Sequence, residues 1–302
     1  MRLKKRFMLS LKNSLRFLPD RQYIKIYYCA KFGGLPNIDE PSTFNEKLQW
    51  MKLNCQDPRM VSLVDKCKVR DFVEKRIGSQ YLVPLIGVYN TVEEFLGADL
   101  PNEFVVKCTH DSQSAHICID KATFDFGAAA RGLETALKRN WYWQGREWAY
   151  KGVKPRIIVE EYLRDRERAT PNDYKFYCFD GVCKMIQCDA DRFENHKEQF
   201  FSPAWESYGD WHVSHVPEGE LLAKPDGFEE MLTLSQSLSE SFPHVRVDWY
   251  CIEGKPFFGE LTFYTGGGFD PFHSKEDKLR DPLDRYLGDC LVLPEQVRTL
   301  YV

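Results

Sequence analysis

The chain has 302 residues, 43% of them hydrophobic and 14% aromatic, enough apolar content for one large domain or two to three lobes on a shared core; a disordered or low-complexity protein is excluded. The 41 Lys and Arg residues nearly balance 45 Asp and Glu, for a formal net charge of -4, so no global field draws the chain to nucleic acid, no nucleic-acid partner is expected, and any charge-based function must be local. The ten cysteines never fall in a Cys-x-x-Cys pair, which predicts a reduced, cytoplasmic protein in place of a zinc ribbon or a disulfide framework.

At the N-terminus, Arg2, Lys4, Lys5 and Arg6 precede no apolar block with a cleavage site, and no apolar run approaches the roughly 18 residues of a membrane span. Neither a signal peptide nor a spanning helix is expected. Leu3, Phe7, Leu11, Leu15 and Leu18 recur at helical spacing beside Lys4, Lys5, Lys12 and Arg16. That pattern suits peripheral membrane contact through residues 1–18, and equally a helix packed on the core with a solvated basic face. Residues 1–40 therefore read as a basic amphipathic helical segment and 41–302 as one cooperative unit with sub-lobes.

In Pro41-Ser42-Thr43-Phe44-Asn45-Glu46-Lys47-Leu48 a Ser or Thr cap precedes a Glu, predicting a helix that carries Leu48, Trp50, Met51 and Leu53. A second helix is expected over 62–76. Then 81–89 reads as strand, 92–96 as helix, 104–108 and 116–119 as strands, 124–140 as helix and 156–162 as strand. Segments 174–179 and 182–189 form a hairpin about Asp180-Gly181. Residues 227–241 read as helix, and 245–252 with 256–261 as a second hairpin about Glu253-Gly254. Such alternation indicates an α/β or α+β sheet protein.

Three elements carry residues suited to chemistry. In the last hairpin, alternation puts Arg246, Asp248 and Tyr250 on one strand face, and Glu260 and Thr262 together on the next strand. Two carboxylates on adjacent strands can hold Mg²⁺, with an arginine nearby to neutralise a phosphoryl group; an ordinary cross-strand ion pair has the same signature. The strand at 104–107 delivers Lys107 beside the glycine-free loop Thr109-His110-Asp111-Ser112-Gln113-Ser114. That arrangement can bind phosphates or simply end a strand in solvent. Finally, Ile157-Ile158-Val159 runs into Glu160, Glu161 and Tyr162, where acids can accept from an adenine amino group or ribose hydroxyls or merely terminate the strand, while Asp173 and Lys175 share another strand face.

The linear order, from Asp65-Lys66-x-x-Val69-Arg70 to Arg246-x-Asp248 and Gly259-Glu260-x-Thr262, resembles that of ATP-grasp ligases. Thr43-Phe44-Asn45-Glu46-Lys47-Leu48-Gln49-Trp50, Leu100-Pro101-x-x-Phe104-Val105-Val106-Lys107-Cys108-Thr109-His110-Asp111-Ser112, Lys154-Pro155-Arg156-Ile157-Ile158, Asp173-Tyr174-Lys175-Phe176 and Gly259-Glu260-Leu261-Thr262-Phe263-Tyr264 resemble, more closely, the TupA-like ATP-grasp family. The resemblance spans 40–275 and implies an α+β ATP-grasp fold: two α/β lobes, 104–190 and 240–275, clasp ATP, with an N-terminal helical extension. It implies ATP and Mg²⁺ as cofactors. Lys107 and one of Lys66 or Arg70 would contact the ATP phosphates, covered by the loop with His110, Asp111 and Ser112; Glu160, Glu161 and Tyr162 would be the adenine hinge, and Asp173 would lie near the ribose. Asp248 and Glu260 would ligate Mg²⁺, with Thr262 at the third position, where Asn is common. Arg246, Lys175 and Arg192 would steady the transferred phosphoryl and the tetrahedral intermediate.

The activity so implied is ATP-dependent carboxylate–amine ligation through an acyl phosphate. TupA-like proteins are associated with teichuronopeptide and surface-polysaccharide assembly, which implies a uronic acid on a glycan, nucleotide-sugar or lipid carrier as one partner, and an amino acid or small amine as the other. The expected location is the cytoplasm or the inner face of the membrane. A glycosyltransferase using Asp248 and Glu260 for a nucleotide-sugar's metal leaves Lys107 and the hinge without a task. A kinase would stop after phosphoryl transfer, and a catalytically dead glycan-binding relative accords with the glycine-free loop and Thr262. Trp141, Tyr142, Trp143 and Trp148, with Arg146 and Glu147 between, read either as a sugar platform or as core. His196, Lys197, His212 and His273 are further acceptor-side candidates.

Overall fold

The computed structural model describes residues 12, 14–165, 171–190, 197–208, 211–212, 221–274 and 282–294. Arg192, His196 and most of the basic segment 1–18 lie outside the described residues.

Helix α1 (Asp20–Phe32) ends at Gly33 with φ 79°, a left-handed stop that glycine adopts without strain. It buries Tyr23, Ile24, Tyr27 and Tyr28 in a cluster with Phe269, against which Leu15 and Leu18 also pack. Lys12 lies over the ring of Tyr27, and Arg16 over Trp143. Of the described residues of this segment, Lys12, Leu15, Arg16 and Leu18 thus pack on the core, while Phe17 is exposed. Helix α2 (Phe44–Asn54) begins as expected, with Thr43 Oγ1 accepting from the Glu46 N–H in a capping box. The helix expected over 62–76 is instead two, α3 (Pro58–Leu63) and α4 (Val69–Ile77). They are broken where Asp65 Oδ1 accepts from the N–H groups of Cys67 and Lys68, a local cap that competes with helix continuation.

Four strands form one antiparallel sheet in the order β1-β4-β2-β3: β1 (Leu85–Tyr89), β2 (Phe104–Cys108), β3 (His116–Cys118) and β4 (Ile157–Glu160). The expected strand at 81–89 starts late because residues 79–81 wind into a 3-10 turn. Helices α5 (Val92–Leu96) and α6 (Phe126–Leu137) cover one face, burying Phe95, Phe104, Val106, Leu133 and Val159. Alternation leaves Val105, Lys107, Ile117 and Glu160 on the other face. A short α7 (Tyr142–Gly145) stops at Arg146, which is buried with φ 58°.

The second sheet runs β10-β9-β5-β6-β7, all antiparallel: β5 (Asp173–Phe179), β6 (Val182–Ala190), β7 (Lys197–Phe201), β9 (Val245–Ile252) and β10 (Lys255–Thr262). A separate pair joins β8 (Trp211–His212) to β11 (His273–Ser274). Both hairpins turn at the expected residues, with φ 45° and 78° at Asp180 and Gly181 and 49° and 77° at Glu253 and Gly254, the paired positive angles of a type I′ turn. Helix α8 (Phe228–Ser239) sits on the apolar face, where Phe228, Met231 and Leu238 join Phe176, Ile186, Val247 and Trp249 in the largest core. The C-terminal helix α9 (Pro282–Cys290) closes on α2: Asp284 Oδ1 accepts from Asn45 N and Nδ2 at 2.7 and 3.0 Å, and Lys47 Nζ donates to the carbonyls of Gly288 and Leu291, both at 2.8 Å. Among the described residues no helix is long and apolar enough to cross a membrane.

Candidate active site

The unclothed faces of the two sheets contribute to one cleft. At one end it is an apolar slot walled by Val83, Val105, Ile117, Leu163 and Pro171 and edged by Glu160, Glu161, Tyr162 and Asp173. It opens, through shared walls at Lys107, Asp173 and Tyr250, into a polar chamber lined by Lys66, Asp111, Ser112, Lys175, Arg246, Asp248 and Glu260. An apolar slot for a flat ring beside a chamber of cations and paired acids suits a purine nucleotide with its polyphosphate and a hard metal ion.

A β-bulge sets the geometry of the acids. Up to Phe258 opposite Trp249 the β9–β10 pairing is regular; after the shift Glu260 stands opposite Asp248, Leu261 opposite Val247 and Thr262 opposite Arg246. Gly259 is the extra residue. Had the pairing stayed regular, Gly259 would oppose Asp248 and Glu260 would oppose Val247 on the apolar face. A side chain cannot easily replace it, because a Cβ at Gly259 would lie 3.0 Å from the Asp248 carbonyl oxygen.

Charge is densely paired here. Arg246 grips Asp248 with two hydrogen bonds of 2.7 Å and lies 3.8 Å from Glu260 and 3.3 Å from Thr262 Oγ1, which donates to Glu260. Lys66 Nζ meets Glu260 at 3.0 Å and donates to the Asp111 carbonyl at 2.7 Å. Burial opposes the ionisation of both acids. At Glu260, Lys66 and Arg246 outweigh it and hold the carboxylate low, whereas at Asp248 burial wins and the group is raised. The same balance keeps Lys66 charged: burial lowers it, and Glu260 more than restores it.

Lys107 reaches Glu160 at 2.7 Å, and Arg70 reaches the same carboxylate at 3.0 Å. The Glu160 side chain is therefore turned to two cations, and of Lys66 and Arg70 it is Lys66 that lines the chamber. Asp111 and Ser112 line it as well. His110 does not: it is 2% exposed, and its Nε2 sits 3.1 and 3.0 Å from the carbonyls of Ala136 and Arg139. It pins the end of α6 and does not cover the chamber. The loop is stitched to itself, Ser114 Oγ accepting from the Cys108 N–H at 2.7 Å and donating to Asp111. Lys175 pairs with Asp189.

In the aromatic segment Tyr142 is buried, while Trp141, Trp143 and Trp148 are half-buried. The Arg146 guanidinium stacks on Tyr23, Tyr142 and Trp143 and donates to the carbonyls of Leu15, Arg16 and Leu18. Sequence reasoning missed Val83, Ile117 and Leu163 as slot walls, and the whole of β7. The wall residues had a signal only in alternation, Ile117 and Val105 lying opposite one another across β2 and β3.

The sequence profile of a family described as TupA-like ATPgrasp matches residues 46–292. No match was found among curated proteins. In fold the chain is similar to D-alanine–D-alanine ligase from Bacillus anthracis complexed with ATP, with 14% identity, 67% of this chain and 54% of that one covered, and a TM-score of 0.35. It is also similar to L-amino acid ligase from Bacillus licheniformis (14% identity, 94% and 61% covered, TM-score 0.44). A third similar structure is D-alanine–D-alanine ligase from Helicobacter pylori (10% identity, 84% and 67% covered, TM-score 0.44). The chain thus spans between about half and two thirds of the length of these proteins.

Proposed function

The chain belongs to the TupA-like ATP-grasp family, and from that membership we propose that it is an ATP-dependent carboxylate–amine ligase that makes an amide through an acyl phosphate. The observation that carries this reading is the apolar slot opening into a chamber where Lys66, Lys107 and Arg246 surround Asp248 and Glu260. In it, the slot takes adenine, bordered by Glu161 and Tyr162, Asp173 takes the ribose, and Lys66 and Lys107 hold the phosphates. Asp248 and Glu260, with the Thr262 hydroxyl beside them, are the oxygen donors for Mg²⁺, which when bound neutralises phosphate charge.

A carboxylate resists attack by an amine because its leaving group would be oxide. Transfer of the γ-phosphoryl to the carboxylate oxygen releases ADP and supplies a leaving group; the amine nitrogen then attacks the acyl carbon, and phosphate departs with the C–O bond electrons. The obstacle is repulsion between an anionic carboxylate and polyanionic ATP, which Lys66, Lys107 and Arg246 offset. The 109–116 loop, tied to Lys66 through the Asp111 carbonyl, is positioned to limit water at the acyl phosphate. We assign the carboxylate to a uronic acid on a polymer-, lipid- or nucleotide-linked surface glycan and the amine to an amino acid or simple amine, with the reaction in the cytoplasm or at the inner face of the membrane. The support for these assignments is the polysaccharide context that the family implies.

The test is ADP and phosphate release from Mg-ATP across a matrix of uronic-acid glycosides and amino acids, with mass spectrometry of the products. A new amide mass only when both partners are present is expected. A phosphorylated product without amine dependence would replace the reading with a kinase, and nucleotide-sugar consumption without ATP use with a glycosyltransferase.

A further inference from the structure

The charged face of the five-stranded sheet continues past the nucleotide chamber. Cross-strand partners place Glu260, Asp248, Lys175, Gln187 and Phe200 in one row and Tyr250, Asp173, Asp189 and Glu198 in the next. Paired residues of an antiparallel sheet share a face, so both rows look into the cleft side. Along them Glu260 has Lys66, Asp248 has Arg246 and Asp189 has Lys175. Glu198 is the exception. It is 7% exposed, and no donor reaches its Oε1.

A buried carboxylate oxygen without a donor is costly, and native structures keep such atoms where something else supplies the missing bond. Burial pushes Glu198 up to about 7, and the neighbouring charge of Asp270 adds to that rise while Lys175 and Arg246 oppose it. Asp270 is itself raised by burial. Its main chain is held by Asn45 Nδ2, which donates to the Asp270 carbonyl at 3.0 Å, and the preceding glycine turn is held by Lys52, which donates to Gly267. Two acids thus feel each other beyond the outer edge of the chamber; of the cations that act on them, Lys175 and Arg246 pair with Asp189 and Asp248, and Lys31 and Lys12 act on Asp270 alone. The group that relieves both is a small cation with several N–H donors.

We propose that Glu198, with Asp270, forms the binding site for the primary ammonium group of the amine substrate. The proposal rests on the ligase reading for the word substrate; the site itself, a buried acid on the charged sheet face whose Oε1 has no donor, does not depend on it.

Calorimetric titration of the protein loaded with Mg²⁺ and a non-hydrolysable ATP analogue tests it, with ethylamine, L-alanine, L-glutamate and L-lysine as probes and methyl glucoside and acetate as uncharged and anionic controls. At least one amine is expected to bind, and Glu198→Gln should weaken that binding about tenfold or more while leaving affinity for the nucleotide analogue unchanged. Asp270→Asn, a second variant on a different element, should weaken the same amine. Amine affinity unchanged from wild type in both variants, no amine binding to the nucleotide-loaded wild type, or loss of glucoside binding in place of amine binding would each overturn the assignment. The ligase reading fails separately, through absent nucleotide binding or absent hydroxamate formation from ATP, a uronic acid and hydroxylamine.

Discussion

Replacing Glu198 by glutamine is expected to stabilise the protein at neutral and alkaline pH and to change little near pH 4. Burial moves this carboxyl from 4.5 to about 7 in the folded chain. Between those values the unfolded chain has lost the proton and the folded chain still holds it, so the folded state binds more protons and stability falls as pH rises through the window. The shift of about 2.5 units, 7 minus 4.5, at about 1.36 kcal/mol per unit corresponds to about 3 kcal/mol. That loss is complete above pH 7 and absent below 4.5. Glutamine is neutral throughout and similar in shape, but its amide still lacks a partner, so a net gain of about 2 kcal/mol is expected at pH 8. For a chain of this length that is roughly 4 °C in melting temperature. Urea unfolding of both proteins at half-unit steps from pH 4 to 8 measures it. A variant no more stable than wild type at pH 8, or a gain that does not shrink toward pH 4, would refute the reasoning.

Lys107→Ala should raise the KM for ATP about tenfold or more without unfolding the protein, because the chamber loses a cation while Arg70 still answers Glu160; an unchanged KM would remove Lys107 from the phosphate site. His110→Ala should behave oppositely, costing about 1–3 kcal/mol in denaturant unfolding through the lost bonds to the end of α6 while the KM for ATP stays at its wild-type value. In Gly259→Val the new side chain meets the Asp248 carbonyl, so Mg²⁺-dependent ATP turnover should be lost; full activity would mean that the bulge does not set the spacing of the acids.

How much of this was legible in the sequence depended on how local the cause was. The turns at Asp180-Gly181 and Glu253-Gly254 were readable because two successive positive φ angles narrow the residue choice to a few types. Strands β2 and β9 begin and end where expected, since β-branched and aromatic residues dominate each, with Lys107, Arg246 and Asp248 falling at alternate positions that face the cleft. Register is different. That Glu260 would meet Asp248 depends on Phe258 and Leu261 both facing the core, a spacing of three that signals a bulge only once Trp249 and Val247 are known to stand opposite. Side-chain direction in loops was equally hidden: nothing in Thr109-His110-Asp111 says that the histidine turns back to α6 while the aspartate turns to the chamber. The strand Lys197-Glu198-Gln199-Phe200-Phe201 escaped because its polar half reads as surface, although Glu198 and Gln199 are buried.

The clasp between α2 and α9 has a consequence for how the chain acquires its structure. Asn45 and Lys47 find their partners in Asp284, Gly288 and Leu291, 239 to 244 positions further along. During synthesis at roughly 5–20 residues per second, the groups on α2 wait on the order of 10–50 s before those partners exist. Contacts of such long sequence separation also close slowly. The two sheets, built largely from neighbouring hairpins, can assemble in the interval, but α2 is completed only by a segment made much later. A chain cut short before residue 282 would therefore lose more than that helix: α2 would lose the acceptor of the Asn45 N–H and both acceptors of Lys47, leaving Asn45 Nδ2 only its bond to the Asp270 carbonyl.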